Sequence, residues 1–321
     1  MNNTAYSGTG KIERNHLKLR KLIILFLLTV LGSFLLSSEV FAYQIKRVIR
    51  SATTLDSATE SLTLNISGLL GGVDMVPERT WIIVTKQTNS DDRRISDVLA
   101  VVDDGQNISF NRRTSGAALV VNWMVVEFVA GVTVTNGMTI VPDGTAVKTI
   151  TIPPVPNLDK AFVYLTTRTN VNNAGADEAF VFGGRLTSPS QLRLERGQAS
   201  STNANEDVGY QIISFEATDQ DVSIQHGTAL INGSQGAGEA SDSGTVLVAT
   251  IPNSITMDKA FLNFSIVPND GVAGYERVYA VDGLITAANQ ITFTRGNNSS
   301  SVQIWWSVIE IENDIYGIFT D

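Results

Sequence analysis

The chain has 321 residues, with 23 Lys and Arg against 32 Asp and Glu and a formal net charge of −9 at pH 7. It contains no Cys, which excludes disulfides, thiolate metal sites and thiol nucleophiles. Two His are too few for a His-rich metal site. The acidic balance disfavours nucleic acid as a partner, because phosphate binding requires clustered Lys and Arg.

The first 42 residues have the order of a secretory signal peptide. Residues 1–21 carry five Lys or Arg, residues 22–36 are an apolar run, and the small residues Val40 and Ala42 follow. We predict cleavage after Ala42 and export to the medium or the cell surface. The apolar run is shorter than the roughly 20 residues that span a bilayer. The alternative is an uncleaved signal anchor, which would be the chain's contact with a membrane.

Three sequence anchors recur in the same order after Ala42. They are an aromatic residue in a short strand, an Arg at a turn, and a closing strand built around a second aromatic residue. In chain order they are Trp81, Arg112 and Trp123; Phe162, Arg196 and Tyr210; and Phe261, Arg295 and Trp306. This order predicts three tandem repeats, of which the first is the most divergent. The predicted repeats are 43–128, 129–217 and 218–311, and a C-terminal tail, 312–321, follows.

The secondary structure within each repeat is predicted to be strand. Alternating apolar runs are separated by turn clusters such as Asp103–Gly105. We therefore predict an all-β protein with three tandem antiparallel β-sandwich-like repeats after the signal peptide. A solenoid is disfavoured, because its repeats run roughly 20–50 residues.

The closing strands contain the aromatic residues that we predict to be core anchors. Side chains alternate between the two faces of a strand, and one face of these strands is apolar. Trp123, Tyr210 and Trp306 lie on that face, so we expect them to be equivalent in the three cores. Trp305 precedes Trp306 and must point away from the core of its own repeat. Three alternatives remain for what covers the Trp305 side chain: the C-terminal tail, another domain or subunit, or the ring of a bound sugar.

Two repeats also suggest an ion pair at the sandwich edge. Arg112 precedes Glu127 by 15 residues, and Arg295 precedes Glu310 by the same distance. We predict that both pairs form at the edge, where an exposed pair is worth under about 1 kcal/mol. The second repeat has Ser214 at the matching place.

No catalytic motif appears in the sequence. There is no G-x-S-x-G elbow, no H-E-x-x-H helix and no phosphate-binding loop, so we predict that the protein is not an enzyme and has no cofactor. His226 lacks a sequence partner and is predicted to be a surface residue. Acidic loops such as Asn89–Asp92 and Asn203–Asp207 are compatible with calcium but lack an EF-hand spacing, which favours solvated turns.

The repeat resembles one found in uncharacterised secreted bacterial and phage-associated β proteins. The motifs that carry the resemblance are Asp159–Phe162, Asp258–Phe261, Arg295–Gly296, Trp123–Phe128 and Trp306–Ile311. The resemblance implies no assigned activity. The topology is also similar, by analogy, to small trimeric lectin sandwiches that close on an aromatic strand.

Together these features predict an exported, non-enzymatic structural or adhesion protein of the cell surface or extracellular space. The alternative is a carbohydrate-binding, lectin-like protein, and a glycan-cleaving enzyme is the third hypothesis. The expected partner is a surface component, a glycan or another copy of the chain.

Overall fold

The computed structural model describes residues 45–90, 92–169, 181–197, 205–218, 221–233, 246–268, 281–296 and 301–312. The predicted signal peptide, its cleavage site and all but the first residue of the tail lie outside these ranges. Within them, the structure contains no helix of the length and apolar character needed to cross a membrane.

Eighteen strands make up most of the described chain. The first repeat contains β1 (Ile45–Leu55), β2 (Ser61–Asn65), β3 (Thr80–Thr88), β4 (Leu99–Val102), β5 (Asn107–Asn111) and β6 (Leu119–Phe128). The second contains β7 (Val132–Val141), β8 (Val147–Thr151), β9 (Ala161–Thr169), β10 (Phe182–Ser188), β11 (Gln191–Arg196) and β12 (Glu206–Phe215). The third contains β13 (Val222–Ile231), β14 (Val246–Thr250), β15 (Ala260–Pro268), β16 (Val281–Ala287), β17 (Gln290–Arg295) and β18 (Val302–Ile311).

Each repeat pairs its strands in the same way. The orders β1-β6-β3, β7-β12-β9 and β13-β18-β15 form one set of antiparallel sheets, which we call the inner sheets. The orders β2-β5-β4, β8-β11-β10 and β14-β17-β16 form a second set, the outer sheets. The predicted all-β fold with tandem antiparallel sandwich repeats is confirmed.

Short helical turns link some of these strands. A 3₁₀ turn precedes the third strand of each repeat, at Pro77–Arg79, Leu158–Lys160 and Met257–Lys259. A further 3₁₀ turn lies at Ser67–Leu70, and a single α-helical turn, α1, lies at Arg93–Ser96. The Asp92 carboxylate accepts a hydrogen bond from the Arg94 N–H at 2.9 Å and caps α1, as acidic residues do at helix starts.

The inner and outer sheets of each repeat enclose a core of their own. Trp123 and Trp306 are each only 4% exposed in these cores, and Tyr210 is half-buried at the equivalent place. Small residues on the first strand face the rings. A Cβ atom on Gly137 would lie 2.2 Å from Cζ of Tyr210, and one on Gly227 would lie 2.1 Å from Cζ2 of Trp306. Glycine is needed at both positions because each ring lies against the strand backbone.

A further apolar cluster, the central cluster, joins all three repeats. Trp81, Phe162 and Phe261 occupy the same position in β3, β9 and β15, and all three rings are in mutual contact there. The other buried members come from the remaining strands of the inner sheets: Val126, Phe128, Val132, Val134, Ile213, Phe215, Val222, Ile224, Ile309 and Ile311. Each inner sheet therefore packs on its own outer sheet with one face and on the central cluster with the other. The three repeats therefore pack around one shared apolar cluster.

Candidate functional site

Adjacent repeats meet through hydrogen bonds at equivalent positions. Between the first and second repeats, the Ala100 N–H donates to Oγ1 of Thr166 at 3.4 Å. Between the second and third, the Gly184 N–H donates to Oγ of Ser265 at 3.1 Å. The donors lie on β4 and β10 and the acceptors on β9 and β15, so both interfaces have the same orientation.

A second contact repeats in the same way. The side chain of Asn136 donates through Nδ2 to the carbonyl of Pro77 at 3.0 Å, and Nε2 of His226 lies 3.1 Å from the carbonyl of Leu158. In both cases the first strand of one repeat reaches the 3₁₀ turn of the repeat before it. The difference between the two interfaces therefore lies in the side chains that fill them.

Long side chains fill the first of these interfaces. Oε1 of Gln211 accepts from the Ile82 N–H at 3.1 Å, and the Tyr164 hydroxyl accepts from the Val84 N–H at 2.9 Å. The third repeat has the shorter Ser307 in place of Gln211 and Asn263 in place of Tyr164. At the interface of the second and third repeats these residues line a cavity of about 290 Å³.

The cavity carries side chains that the other repeats lack. The guanidinium carbon of Arg185 lies 4.6 Å from the ring centroid of Trp305, a cation–π contact across the interface. In the register of the sheets, Val101 and Leu284 occupy the position of Arg185, and Asn122 and Gly209 that of Trp305. The polar residues that line the cavity beside Arg185 are Asp159, His226, Thr228, Asn263, Ser265 and Ser307.

His226 is held by hydrogen bonds on both ring nitrogens. Nδ1 lies 2.8 Å from Oγ of Ser307, and Nε2 faces the Leu158 carbonyl. Partial burial lowers the pKa of His226 below its usual 6.5. The neutral ring with its proton on Nε2 satisfies both contacts, since Nε2 then donates to the carbonyl and Nδ1 accepts from the hydroxyl.

Among the described residues, the second repeat covers Trp305. Its side chain faces away from its own core, but the residue is only 7% exposed. The second repeat covers it through Arg185 and through Gly183, where an added Cβ would lie 3.0 Å from Cε3 of the indole ring. Of the three covers left open by the sequence, a neighbouring repeat is present among the described residues, whereas the C-terminal tail after Glu312 lies outside them.

The predicted ion pair of Arg112 with Glu127 is wrong. Arg112 is 1% exposed and donates to the backbone carbonyls of Asp56, Thr59 and Ala117, with 2.7 Å between Nε and the Thr59 oxygen. Ala117 lies just before the start of β6, whereas Glu127 lies near its end. Eight residues of strand, at about 3.3 Å each, separate the two places by about 26 Å.

Glu127 pairs with other cations instead. Its carboxylate is fully buried and binds Nε of Arg47 at 2.6 Å and Nζ of Lys46 at 3.0 Å. It also accepts from the Val76 N–H at 3.0 Å, a backbone contact before the 3₁₀ turn.

The pair of Arg295 with Glu310 is wrong for the same reason. Nη2 of Arg295 donates to the carbonyl of Asn232 at 2.9 Å. Oε1 of Glu310 accepts from the Thr256 N–H at 2.6 Å, at the position that matches Val76.

In all three repeats the buried Arg donates to the carbonyl of the residue that directly follows the first strand. Nη2 of Arg196 donates to the Pro142 carbonyl at 2.8 Å, and Nε donates to the Thr145 carbonyl at 2.8 Å. Asp56, Pro142 and Asn232 each directly follow the first strand of their repeat. The presence of the Arg in the second repeat, where Ser214 replaces the acid, was the sequence signal that its partner is not a carboxylate.

Glu206 is a buried carboxyl that the sequence did not single out. It lies at the first position of β12, where β6 and β18 have Leu119 and Val302. Burial raises the pKa of Glu206 to about 8, although the Thr169 hydroxyl and the cations of Arg93 and Arg196 act in the opposite direction.

No protein-family model and no curated protein matches the chain.

Within the described ranges, no group of three or more His, Asp or Glu side chains is placed to hold a metal ion. Several of the acidic loops considered for calcium lie partly outside those ranges, so calcium binding stays untested. The fold and the cavity define a tandem β-sandwich protein with a small cleft of mixed polar and apolar lining between two repeats.

Proposed function

We propose that the chain is an exported, non-enzymatic surface or extracellular protein that acts by contact, as a structural or adhesion module. The observation that supports this proposal is the central cluster, which joins three sandwiches through their inner sheets. The burial of apolar surface stabilises such an assembly without disulfides, which suits a cysteine-free exported chain.

The outer sheets are the natural contact surfaces. Along β2, β8 and β14 exposed residues alternate with partly buried ones, so the outward face of each outer sheet is open to solvent along this strand. Three similar surfaces on one compact unit increase the effective concentration for a repetitive partner. This arrangement favours attachment to a surface over capture of a single soluble molecule.

The adhesion proposal is tested with producing cells that lack the gene. Parent, deletion and complemented cells are compared in a surface-attachment assay, and the location of the protein is followed with an antibody. We expect reduced attachment in the deletion cells and its recovery on complementation. Equal attachment by all three would contradict the proposal.

Carbohydrate binding is the second candidate, and the cavity between the second and third repeats favours it. The cavity combines the Trp305 ring with hydroxyl, amide and charged groups, the mixture that binds sugars through stacking and hydrogen bonds. A glycan array probed with the purified protein tests this candidate, and a blank array would remove it. Asp159 is the one carboxylate residue among those that line the cavity, whereas glycoside hydrolysis ordinarily needs two.

A further inference from the structure

We propose that the cavity between the second and third repeats binds a single sugar residue that carries a carboxylate, as in a hexuronic or sialic acid. This inference rests on the carbohydrate-binding candidate above and assigns its ligand class. It is carried by the placement of Arg185, Trp305 and Asp159 around one cavity.

Arg185 supplies the anion-binding group. Its guanidinium contacts the face of Trp305, and no carboxylate of the described residues forms an ion pair with it. A cation–π contact occupies the guanidinium without using its N–H donors. The planar fork of donors matches the two oxygens of a carboxylate, and the packed indole restricts the side chain before the ligand arrives.

Other residues that line the cavity supply groups for sugar hydroxyls. Asp159 and Thr228 line it and accept hydrogen bonds through their oxygens. Nδ2 of Asn263 donates to the carbonyl of Val163 at 2.9 Å, so the Asn263 amide is held in place while its oxygen remains an acceptor.

The size and charge of the cavity narrow the ligand further. A volume of about 290 Å³ lies near the lower limit of the ~300–1,000 Å³ range of small-molecule pockets and suits one ring rather than a long chain. Arg185 is the one permanent cation that lines the cavity, Asp159 is an anion, and the depressed pKa of His226 keeps its ring neutral at pH 7. A ligand with one negative charge and several hydroxyls matches the charges of Arg185 and Asp159 better than a doubly charged phosphate does.

The test compares two sugars that differ at one carbon. Binding of methyl β-D-glucuronoside and methyl β-D-glucoside to the protein expressed from the full-length sequence is measured by isothermal titration calorimetry, with N-acetylneuraminic acid as a second acidic probe. We expect at least one acid to bind at least about tenfold more tightly than the glucoside, because the neutral sugar lacks the charge-assisted hydrogen bonds to Arg185.

Variants assign the effect to the cavity. Arg185→Gln is expected to remove the preference for the acid. Arg193→Gln is the matched control, because Arg193 is the register partner of Arg185 on β11, lies outside the cavity and carries the same charge. Asp159→Asn removes both an acceptor for sugar hydroxyls and an anion, so it is expected to weaken the neutral sugar more than the acidic ones. Thermal melts of each variant verify the fold.

Each result decides a different claim. Equal binding of glucuronoside and glucoside, with neither acid preferred, would overturn the carboxylate assignment while leaving carbohydrate binding in place. An acid preference that survives Arg185→Gln would overturn the location. If neither acid binds but other glycans bind on the array, the inference fails and the carbohydrate candidate survives. A blank array removes both.

Discussion

The indole ring of Trp81 stacks on the phenyl ring of Phe261, with 5.9 Å between the centroids and an interplanar angle of 28°. This contact joins the first repeat to the third. Phe162 of the second repeat meets both rings edge-on, at 5.3 Å from Trp81 and 6.0 Å from Phe261. The three repeats therefore close around an axis, whereas the units of a solenoid contact only their sequence neighbours.

This closure predicts that the repeats unfold together. Phe162→Ala is expected to lower the free energy of unfolding by about 3–5 kcal/mol, because Phe162 is 1% exposed and its loss leaves a cavity in the central cluster. Guanidinium titration followed by tryptophan fluorescence and circular dichroism measures the change. The control is Met138→Ala in the same repeat, where the side chain is 59% exposed and we expect almost no effect. Separate transitions for the individual repeats of the unsubstituted protein would contradict the shared core.

The repeats and the strands could be predicted from the sequence because period-two alternation and recurring anchors are local signals. The central cluster could be predicted from the sequence only in part. Val125 and Val126 are adjacent in β6 and both fully buried, and such a continuous apolar run is typical of a strand covered on both faces. The residues that cover the second face of β6 belong to other repeats, so no local sequence pattern identifies them. The same reason explains why the cover of Trp305, and with it the cavity, was not predictable.

The buried arginines provide a second test. Arg112→Lys is expected to cost about 2–4 kcal/mol, because a single ammonium cannot reach the carbonyls of Asp56, Thr59 and Ala117 from one position, and unpaired buried acceptors are unfavourable. Arg113→Lys is the control at the adjacent, exposed position, where we expect a change within about 0.5 kcal/mol. Denaturant titrations compare both variants with the parent. Equal, small effects would mean that the arginine does not fix this loop.

Glu206 predicts a pH dependence of stability with a definite sign. Its folded pKa of about 8 lies above the usual 4.5 of a Glu carboxyl, so between these pH values the folded state holds a proton that the unfolded state releases. Its contribution to stability is therefore fully present below about pH 4.5 and is lost as the pH rises through 8. Glu206→Gln should remove this component, so the variant should gain stability relative to the parent between pH 5 and 8. Melting temperatures across that range test the sign, and parallel profiles for the two proteins would contradict it.

Export predicts a defined N-terminus. The basic, apolar and small-residue order of residues 1–42 predicts cleavage after Ala42, and β1 begins shortly beyond that point at Ile45. N-terminal sequencing of the secreted or surface-extracted protein should therefore begin at Tyr43. Recovery of the intact chain from membranes would instead favour the signal anchor.

The adjacent residues Trp305 and Trp306 provide the sharpest test of the packing. Trp306→Ala is expected to cost about 3–5 kcal/mol, because its ring fills the core of the third repeat. Trp305→Ala should also destabilise, by about 2–4 kcal/mol, because the second repeat covers that ring and the substitution removes both the packing and the contact with Arg185.

The equivalent position in the first repeat supplies the control for Trp305. Asn122 is exposed there, so Asn122→Ala should change stability by less than about 0.5 kcal/mol. Denaturant titrations give the three values. If Trp305→Ala were as mild as Asn122→Ala, the interface would not cover Trp305 in solution and the cavity built around it would be lost. A substantial effect from both tryptophans would show that β18 is buried on both faces, one by its own outer sheet and the other by the neighbouring repeat.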